Sequence, residues 1–302
     1  MNNYFNTFSN VEHTCFLCGC AMPASNTPAS KKDCNKEHVF PKWILSRYGV
    51  QHINADYLMS ANTTESRNFK YHQVRVHRVC NTIFGDKLEQ PMSANEAISQ
   101  IWLWGLKIYC GTLFSAAYTF NGVSEVTPEI YSGKQDERFN ELWENAPHIL
   151  QDGVSPYHMV GTVIELDYVF SGDEFFHHIN YEMQTLWITF NHKSYLILFN
   201  NNLTEKEISE VKDEWALMQK QPPELPDNSV ATLRYMAIIA ETAIYHRFRY
   251  PTHVSHNCGF LVPADVPFTE EIEKEILAGY GLKKEIHPTH GKVFTGISVH
   301  NN

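Results

Sequence analysis

Two short stretches decide how this chain folds: Glu37-His38-Val39-Phe40-Pro41 and His77-Arg78-Val79-Cys80-Asn81. The first places a carboxylate beside an imidazole. The second has a histidine and a cysteine at the spacing of metal ligands, followed at once by an asparagine. A third stretch, Cys15-Phe16-Leu17-Cys18, supplies the other half of a four-ligand metal site. Together these stretches predict a metal-bound module in the first part of the chain.

Length and composition indicate a folded chain with room for two domains. Its 302 residues are 43% hydrophobic and 13% aromatic, values typical of proteins that bury a core. The longest apolar run, Ile101 to Leu106, is too short to span a bilayer. The N-terminus lacks the basic and apolar segments of a signal peptide. We therefore expect no membrane partner and a cytoplasmic location.

The net charge of −10 is distributed unevenly along the chain. Residues 1–92 contain 10 basic and 7 acidic side chains, whereas residues 93–302 contain 14 basic and 27 acidic ones. The first part, at net +3, would attract a phosphate backbone, and much of the second, at net −13, would repel it. An acidic surface that only keeps the protein in solution explains the second value equally well.

Periodicity in the first part of the chain predicts strands and helices around the two stretches. In order, these are a strand over 37–40, a helix over 42–48, an irregular segment over 50–68, a strand over 69–76 and a helix over 81–89. Pro91 marks the expected boundary between a module of residues 1–92 and a domain of residues 93–302.

The second part of the chain mixes helices with strands. Capping boxes at Ser93 and Thr204 each predict the start of a helix, the first one apolar almost all round and therefore buried. Residues 121–160 are turn-rich. The other predicted elements are strands over 163–170, 184–190, 194–199 and 291–299, the second and third forming a hairpin, and helices over 229–245 and from Thr269. The predicted fold class is α+β, with a second domain of unknown type.

Four of the seven cysteines lie in the first 34 residues: Cys15, Cys18, Cys20 and Cys34. In a reducing compartment such crowding indicates metal binding more than disulfides. Cys15 and Cys18 form one half-site, and His77 and Cys80 form another, so that two turns complete a closed tetrahedral site for a structural zinc ion. Cys20 and Cys34 remain rivals for the fourth position. The zinc would pin the N-terminal knuckle to the end of the second strand.

His38 has the properties that phosphodiester hydrolysis needs in a base. A neutral imidazole takes a proton from water near pH 7, and a divalent cation beside it neutralises charge on the phosphate. Glu37 and Asn81 offer oxygens to a cation such as magnesium. Because successive strand residues point to opposite faces, Glu37 and His38 share a site only if the strand ends there, as Pro41 suggests. The alternative is a surface histidine beside a surface glutamate, with Asn81 as a helix cap.

The order of the motifs resembles that of HNH endonucleases of the zinc-stapled ββα-metal type: Cys-x-x-Cys, Glu-His-Val-Phe-Pro, then Cys-Asn before a helix ending in Leu-Glu. The resemblance covers about residues 12–90. It implies two strands and a helix that grip one divalent cation and cleave DNA. By this resemblance His38 is the general base, and Glu37 and Asn81 bind the catalytic cation. The implied ligands of the structural zinc are Cys15, Cys18, His77 and Cys80.

The sequence departs from the pattern of that family at three positions. His77 stands where a cysteine is more usual, and Asn81 stands where a histidine is expected. The asparagine in the middle of the family motif has no clean match. His72 falls at about its place, and Asn68 is the other candidate for the residue that orients His38.

The sequence therefore predicts a two-domain, metal-dependent DNA endonuclease. The module cleaves, and residues 93–302 recognise a target, a protein partner or a signal. By the resemblance alone, such an arrangement suits bacterial restriction or anti-phage defence. Two alternatives remain open. One is a non-catalytic, zinc-stabilised module that binds nucleic acid or protein. The other is a nuclease that the acidic domain holds inactive.

Overall fold

The computed structural model describes residues 11–52, 54–60, 63–92, 97–119, 134–151, 159–167, 173, 175–180, 184–199, 202–220, 254–255, 260–261, 282–287 and 291–296. Three predicted features lie outside these residues: the capping box at Ser93 and the helices over 229–245 and from Thr269. The described elements mix helices with small sheets, which agrees with the predicted α+β class.

The chain divides into two compact units. The first comprises Met1–Val163 and Ile197–Asn201, and the second comprises Ile164–Leu196 and Asn202–Asn302. The first unit thus extends well past the expected boundary at Pro91. The division of function at residue 92 stays a prediction, because compactness alone does not say which residues a functional module needs.

The first unit begins with short elements and ends with two long helices. In chain order they are α1 (Pro28–Asp33), β1 (Cys34–His38), α2 (Lys42–Arg47), β2 (Asn54–Ser60), β3 (Thr63–Asn68), β4 (Gln73–His77), α3 (Arg78–Phe84), α4 (Gln90–Met92), α5 (Ile98–Thr119) and α6 (Lys134–Gln151). A π-helical turn, Gly85–Glu89, joins α3 to α4. Single 3₁₀ turns cover Val11–His13, Val50–His52 and Phe69–Tyr71.

A ββα arrangement lies at the start of this unit. Strands β1 and β4 pair antiparallel, in a register that sets Cys34 opposite His77 and His38 opposite Gln73. Helix α3 follows β4 without a connecting loop. It begins three residues earlier than predicted, so the metal-ligand candidate Cys80 lies in its first turn. The strand order and the helix therefore bring both deciding stretches together.

The segment between β1 and β4 is more regular than its composition suggests. The irregular segment predicted over 50–68 is in fact a hairpin, with β2 paired antiparallel to β3. That prediction is wrong because the segment is polar and lacks apolar alternation, whereas a strand ladder is held by backbone groups that every residue carries. Helix α2 confirms the predicted helix after Pro41.

The middle of helix α5 is buried on every side, as its apolar sequence predicts. Every residue from Ile101 to Ser115 is buried, including Lys107. Helix α6 instead occupies residues predicted to be turn-rich, and the prediction is wrong there. Its buried positions Phe139, Leu142, Ala146 and Ile149 recur at helical spacing. The glycine and proline residues just before Lys134, and Pro147 within the helix, concealed this period.

The remaining elements are β5 (Thr162–Leu166), β6 (Phe176–Asn180), β7 (Thr185–Phe190), β8 (Lys193–Leu198), α7 (Glu205–Lys220), β9 (Val254–Ser255), β10 (Phe260–Leu261), β11 (Leu282–His287) and β12 (Gly291–Gly296). Strands β5 to β8 form one sheet in the order β5-β8-β7-β6. Strand β9 pairs with β10, and β11 pairs with β12. Strands β5 and β12 confirm two predicted strands, whereas β6 was not predicted.

Two local predictions in this part are confirmed. Strands β7 and β8 form a hairpin whose turn residues, Asn191 and His192, have φ angles of 51° and 56°, as a tight mirror-image turn requires. Thr204 and Glu207 form the capping box of α7: the Thr204 amide donates to Glu207 Oε2 over 2.7 Å, and the Glu207 amide donates to Thr204 Oγ1 over 3.3 Å. Among the helices described, none has the length and apolar character needed to cross a bilayer.

Candidate metal centre and active site

The first metal half-site is a tight turn of the backbone. The Gly19 amide donates to the Cys15 carbonyl, and the Cys15 amide donates to the Cys20 carbonyl, each over 2.8 Å. Gly19 has a φ of +70°, a conformation that glycine adopts at little cost. The turn brings Cys15 and Cys18 to one side, as the spacing of the two cysteines predicts.

The second half-site lies at the junction of β4 and α3. His77 is the last residue of the strand, and Cys80 lies three residues on, in the first turn of the helix. One donor atom each from Cys15, Cys18, His77 and Cys80 lies within 4.8 Å of every other. The two other cysteines considered at first, Cys20 and Cys34, are not in this group. The quartet predicted from spacing is therefore assembled in the structure.

The orientation of the His77 ring fits a metal ligand. Its Nδ1 lies 3.5 Å from Cys18 Sγ, on the side of the sulfurs, while its Nε2 lies 3.2 Å from the Ala21 carbonyl. A proton on Nε2 donated to that carbonyl leaves the lone pair of Nδ1 for a metal, which is how ligating histidines are commonly held. The His77 amide also donates to Cys15 Sγ over 3.3 Å. The group can hold a metal ion, and three sulfurs with one imidazole suit zinc.

Two thiols of this group, those of Cys15 and Cys80, do not both ionise easily without a cation. Hydrogen bonds from Cys18 and Cys80 lower the pKa of Cys15 to about 3. Hydrogen bonds to Cys15 and Cys18 raise the pKa of Cys80, because they favour the protonated thiol as donor, and burial raises it further. One thiolate therefore forms readily, and a second one beside it needs a positive charge. A bound dication would supply that charge.

Side chains from β4 and α6 fix the knuckle against the rest of the unit. Arg75, buried on β4, donates to the carbonyls of Glu12 and Pro23 and, over 2.6 Å, to Ser30 Oγ. Trp143 of α6 donates from Nε1 to the Phe16 carbonyl over 2.8 Å. These bonds hold the N-terminal segment in place independently of any metal.

His38 is the last residue of β1 and is half-buried. Its Nε2 lies 2.8 Å from the side-chain nitrogen of Gln73, which also donates to the Lys70 carbonyl over 3.0 Å. Because that amide nitrogen faces both groups, Gln73 acts as donor and His38 Nε2 as acceptor. Burial lowers the pKa of His38, and the nearby cation of Lys42 lowers it further. The ring is therefore neutral at pH 7.

Glu37 faces away from His38 and into the protein. Its Oε1 lies 2.5 Å from the Nζ of Lys107, a fully buried residue of α5. Lys107 also pairs with Glu89, at the end of the π-helical turn. Burial, only partly offset by Lys107, raises the pKa of Glu89 to about 7, while the two carboxylates keep the pKa of Lys107 above its usual value despite burial. A hard cation at Glu37 would share this carboxylate with a lysine.

Asn81 lies against β1. Its Nδ2 donates to the Lys36 carbonyl over 3.4 Å, two residues before His38. That bond uses the amide nitrogen of Asn81. A hard cation would bind the amide oxygen instead. The expected ligand from the helix thus contacts the strand that carries the expected base.

His72, one of two candidates for orienting His38, lies in an aromatic cluster. The centroid of its ring is 5.8 Å from that of Phe69 and 6.0 Å from that of Phe40, and its backbone carbonyl accepts a hydrogen bond from Val39. The side chain of Asn68, the other candidate, lies outside the described part of the chain. The orienting role expected of either residue stays a prediction.

Sequence reasoning missed two residues that touch the deciding stretches. Gln73 contacts the His38 ring because it is the direct partner of His38 in the strand register. Only knowledge of that register would have revealed it. Lys107 could have been suspected, because it is a lone charge in an otherwise apolar helix, and such a charge requires a buried partner.

No protein-family model, curated protein or solved structure matches the chain. The resemblance to HNH endonucleases therefore rests on the motifs, the Cys/His group and the ββα arrangement.

Proposed function

We propose that this protein is a metal-dependent endonuclease of the HNH type, which hydrolyses phosphodiester bonds of DNA at the end of β1. One observation carries the proposal. A ββα arrangement next to a Cys/His metal group places His38 at the end of a strand and holds Asn81, from the helix, against the same strand. This is the arrangement of base and cation ligand that the resemblance implies.

In the proposed mechanism His38 takes a proton from the attacking water at Nε2, after the water has displaced the Gln73 amide that occupies this lone pair in the structure. Asn81 would hold a divalent cation, magnesium or a similar ion, with Glu37 joining it only once its carboxylate leaves Lys107, and the ion when bound would stabilise the charge on the scissile phosphate. Before the water binds, Gln73 would keep the His38 ring in one orientation. The Cys/His group would hold a structural zinc ion that fixes α3, and with it Asn81, relative to the N-terminal knuckle.

Exposed lysines near these residues support DNA as the substrate. They lie on α1, on β1 and at the start of α2: Lys31, Lys32, Lys36 and Lys42. Cations at such positions attract a phosphate backbone without reading its sequence. Recognition of a target or partner by residues 93–302, and a place in restriction or anti-phage defence, belong to the same proposal.

The test is cleavage of plasmid DNA across a series of divalent metals, with His38→Ala beside the wild type. Loss of a general base lowers rates by about 10²-fold or more, so His38→Ala should leave no visible nicking. His13→Ala, which changes an exposed histidine outside the proposed site, should cleave like the wild type. Equal cleavage by all three proteins would remove His38 from the mechanism.

A non-catalytic, zinc-stabilised binding module is the second candidate function, and the Lys107–Glu37 ion pair favours it. A lysine at 2.5 Å neutralises the carboxylate that a catalytic cation would need. If no metal supports cleavage of DNA or RNA by the wild type, and DNA still shifts in a binding assay, this second function holds.

A further inference from the structure

Lys107 carries the one inference that goes beyond the proposed function. It lies in the middle of α5, and its side chain has no exposed surface. An ammonium group taken out of water costs several kcal/mol unless it is paired. The contacts that compensate this charge therefore indicate what the residue holds in place.

Each of the three N–H donors of the ammonium has an acceptor. Nζ donates to Glu37 Oε1 over 2.5 Å and to the Glu89 carboxylate, and the third acceptor is the backbone carbonyl of His38, at 3.3 Å. A lysine ammonium has three donors and no acceptor. The set is thus complete, with two of its three bonds made to consecutive residues of β1.

These bonds act on the strand at the point where it ends. His38 is the last residue of β1, and its own carbonyl and the side chain before it are both held by the same nitrogen. The His38 ring points to the other face, where Gln73 contacts it. The backbone position on which the ring depends is thereby fixed from α5, a helix outside the motifs.

We propose that Lys107 is a positioning residue for His38, which sets the end of β1 so that the imidazole meets Gln73 and the substrate at a fixed angle. Its effect on catalysis rests on the proposed function. Its effect on the His38 ring does not, and the two are measured separately.

The experiment uses the full chain in four forms: wild type, Lys107→Met, Lys107→Arg and Lys87→Met. Lys87 is the matched control, because it also donates to a backbone carbonyl, that of Leu150, over 3.4 Å, without touching β1. Zinc content and circular dichroism establish that each form is folded. Selective labelling of histidine then gives one ring signal per residue, and the His38 signal is the one absent from His38→Ala.

If the proposal is right, Lys107→Met moves the His38 signal more than any other histidine signal, and Lys87→Met leaves it in place. Lys107→Arg keeps the positive charge but carries its donors on a larger, planar group, so it should move the signal as well. In a cleavage assay Lys107→Met should lower kcat by about tenfold or more with little change in KM, as expected for a displaced base.

A folded Lys107→Met or Lys107→Arg protein whose His38 signal and kcat equal those of the wild type would overturn the proposal. If Lys107→Met does not fold, Lys107→Arg alone decides it by the same criterion. A wild type that cleaves nothing refutes the proposed function, and the His38 signal then still supports or overturns the positioning role.

Discussion

At the scale of single residues, the Cys/His group includes some of the cysteines that crowd the N-terminal segment and leaves out others. Cys15 is fully buried and its Sγ accepts the His77 amide. Cys20, five residues on, is exposed, and its Sγ donates to the Cys18 carbonyl over 3.6 Å. Only the first belongs to the Cys/His group. The pair therefore offers a substitution and its control within one turn of chain.

Cys15→Ser should abolish tight zinc binding, because an alcohol is a poor replacement for a thiolate ligand. The wild type should hold about one zinc per chain after dialysis, as one closed four-ligand site requires, and Cys15→Ser should hold almost none and melt at a lower temperature. Cys20→Ser should keep both the zinc and the melting temperature. Elemental analysis and thermal unfolding measure the two quantities, and zinc retained by Cys15→Ser would exclude this residue as a ligand.

At the scale of elements, the knuckle and helix α6 fit together at Gly19. A β-carbon there would lie 2.7 Å from Cδ2 of Trp143, and the φ of +70° is already unfavourable for other residues. Gly49, just after α2, also has a positive φ, of +64°, but a β-carbon there would meet no atom within 4 Å. The two glycines share the backbone requirement and differ in packing.

We expect Gly19→Ala to lower the free energy of unfolding by about 3 kcal/mol, from backbone strain together with overpacking against Trp143. Gly49→Ala should cost about 1 kcal/mol, from strain alone. Chemical denaturation of both variants gives the comparison. Equal losses would mean that the Trp143 ring moves aside without cost, and that α6 does not hold the knuckle tightly.

The elements that could be predicted from sequence are those with a local signal. The α2 helix, the β7–β8 hairpin and the α7 capping box each carry their cause within a few residues. The β2–β3 hairpin and α6 do not, because a polar strand ladder leaves no periodic trace and neighbouring turn residues masked the helical period. Strand β1 and helix α3 each begin three residues before their predicted first residues, Glu37 and Asn81.

The candidate site follows the same rule. The metal quartet depends on two short spacings, and both are visible in the sequence. The contacts around His38 depend on the strand register and on helix α5. Lys107 of that helix, which pairs with Glu37, lies 70 residues after it in the sequence. Neither can be read from a local pattern. The ion pair that occupies Glu37 therefore came from tertiary structure alone.

At the scale of the whole molecule, the ββα arrangement does not contain its own core. A β-carbon at Gly111 of α5 would lie 3.0 Å from Val39 Cγ1 and 3.1 Å from Phe16 Cζ. Phe16 and Val39 have no exposed surface. Part of what covers them belongs to helices beyond residue 92.

A fragment of residues 1–92 should therefore fail to fold, even with zinc. It would expose Phe16 and Val39, whose burial is worth about 2 kcal/mol each, and would leave Glu37 without Lys107. Dispersed amide signals and cooperative melting, measured beside the full chain, decide the matter. If the fragment folds and binds zinc, the module is autonomous after all, and truncation becomes a fair test of whether the acidic part inhibits it.

The guanidinium of Arg75 has a consequence for how the amino-terminal arm responds to its surroundings. It binds the arm at Glu12, Pro23 and Ser30 through hydrogen bonds that involve no sulfur. With a metal bound, the arm would have two attachments of different chemistry: the metal ligands, which chelators and oxidants attack, and these hydrogen bonds, which they leave untouched. Removal of a bound ion would loosen the four ligands, while the hydrogen bonds of Arg75 would keep the arm on β4. The ligands would then stay close enough together to bind a metal ion again.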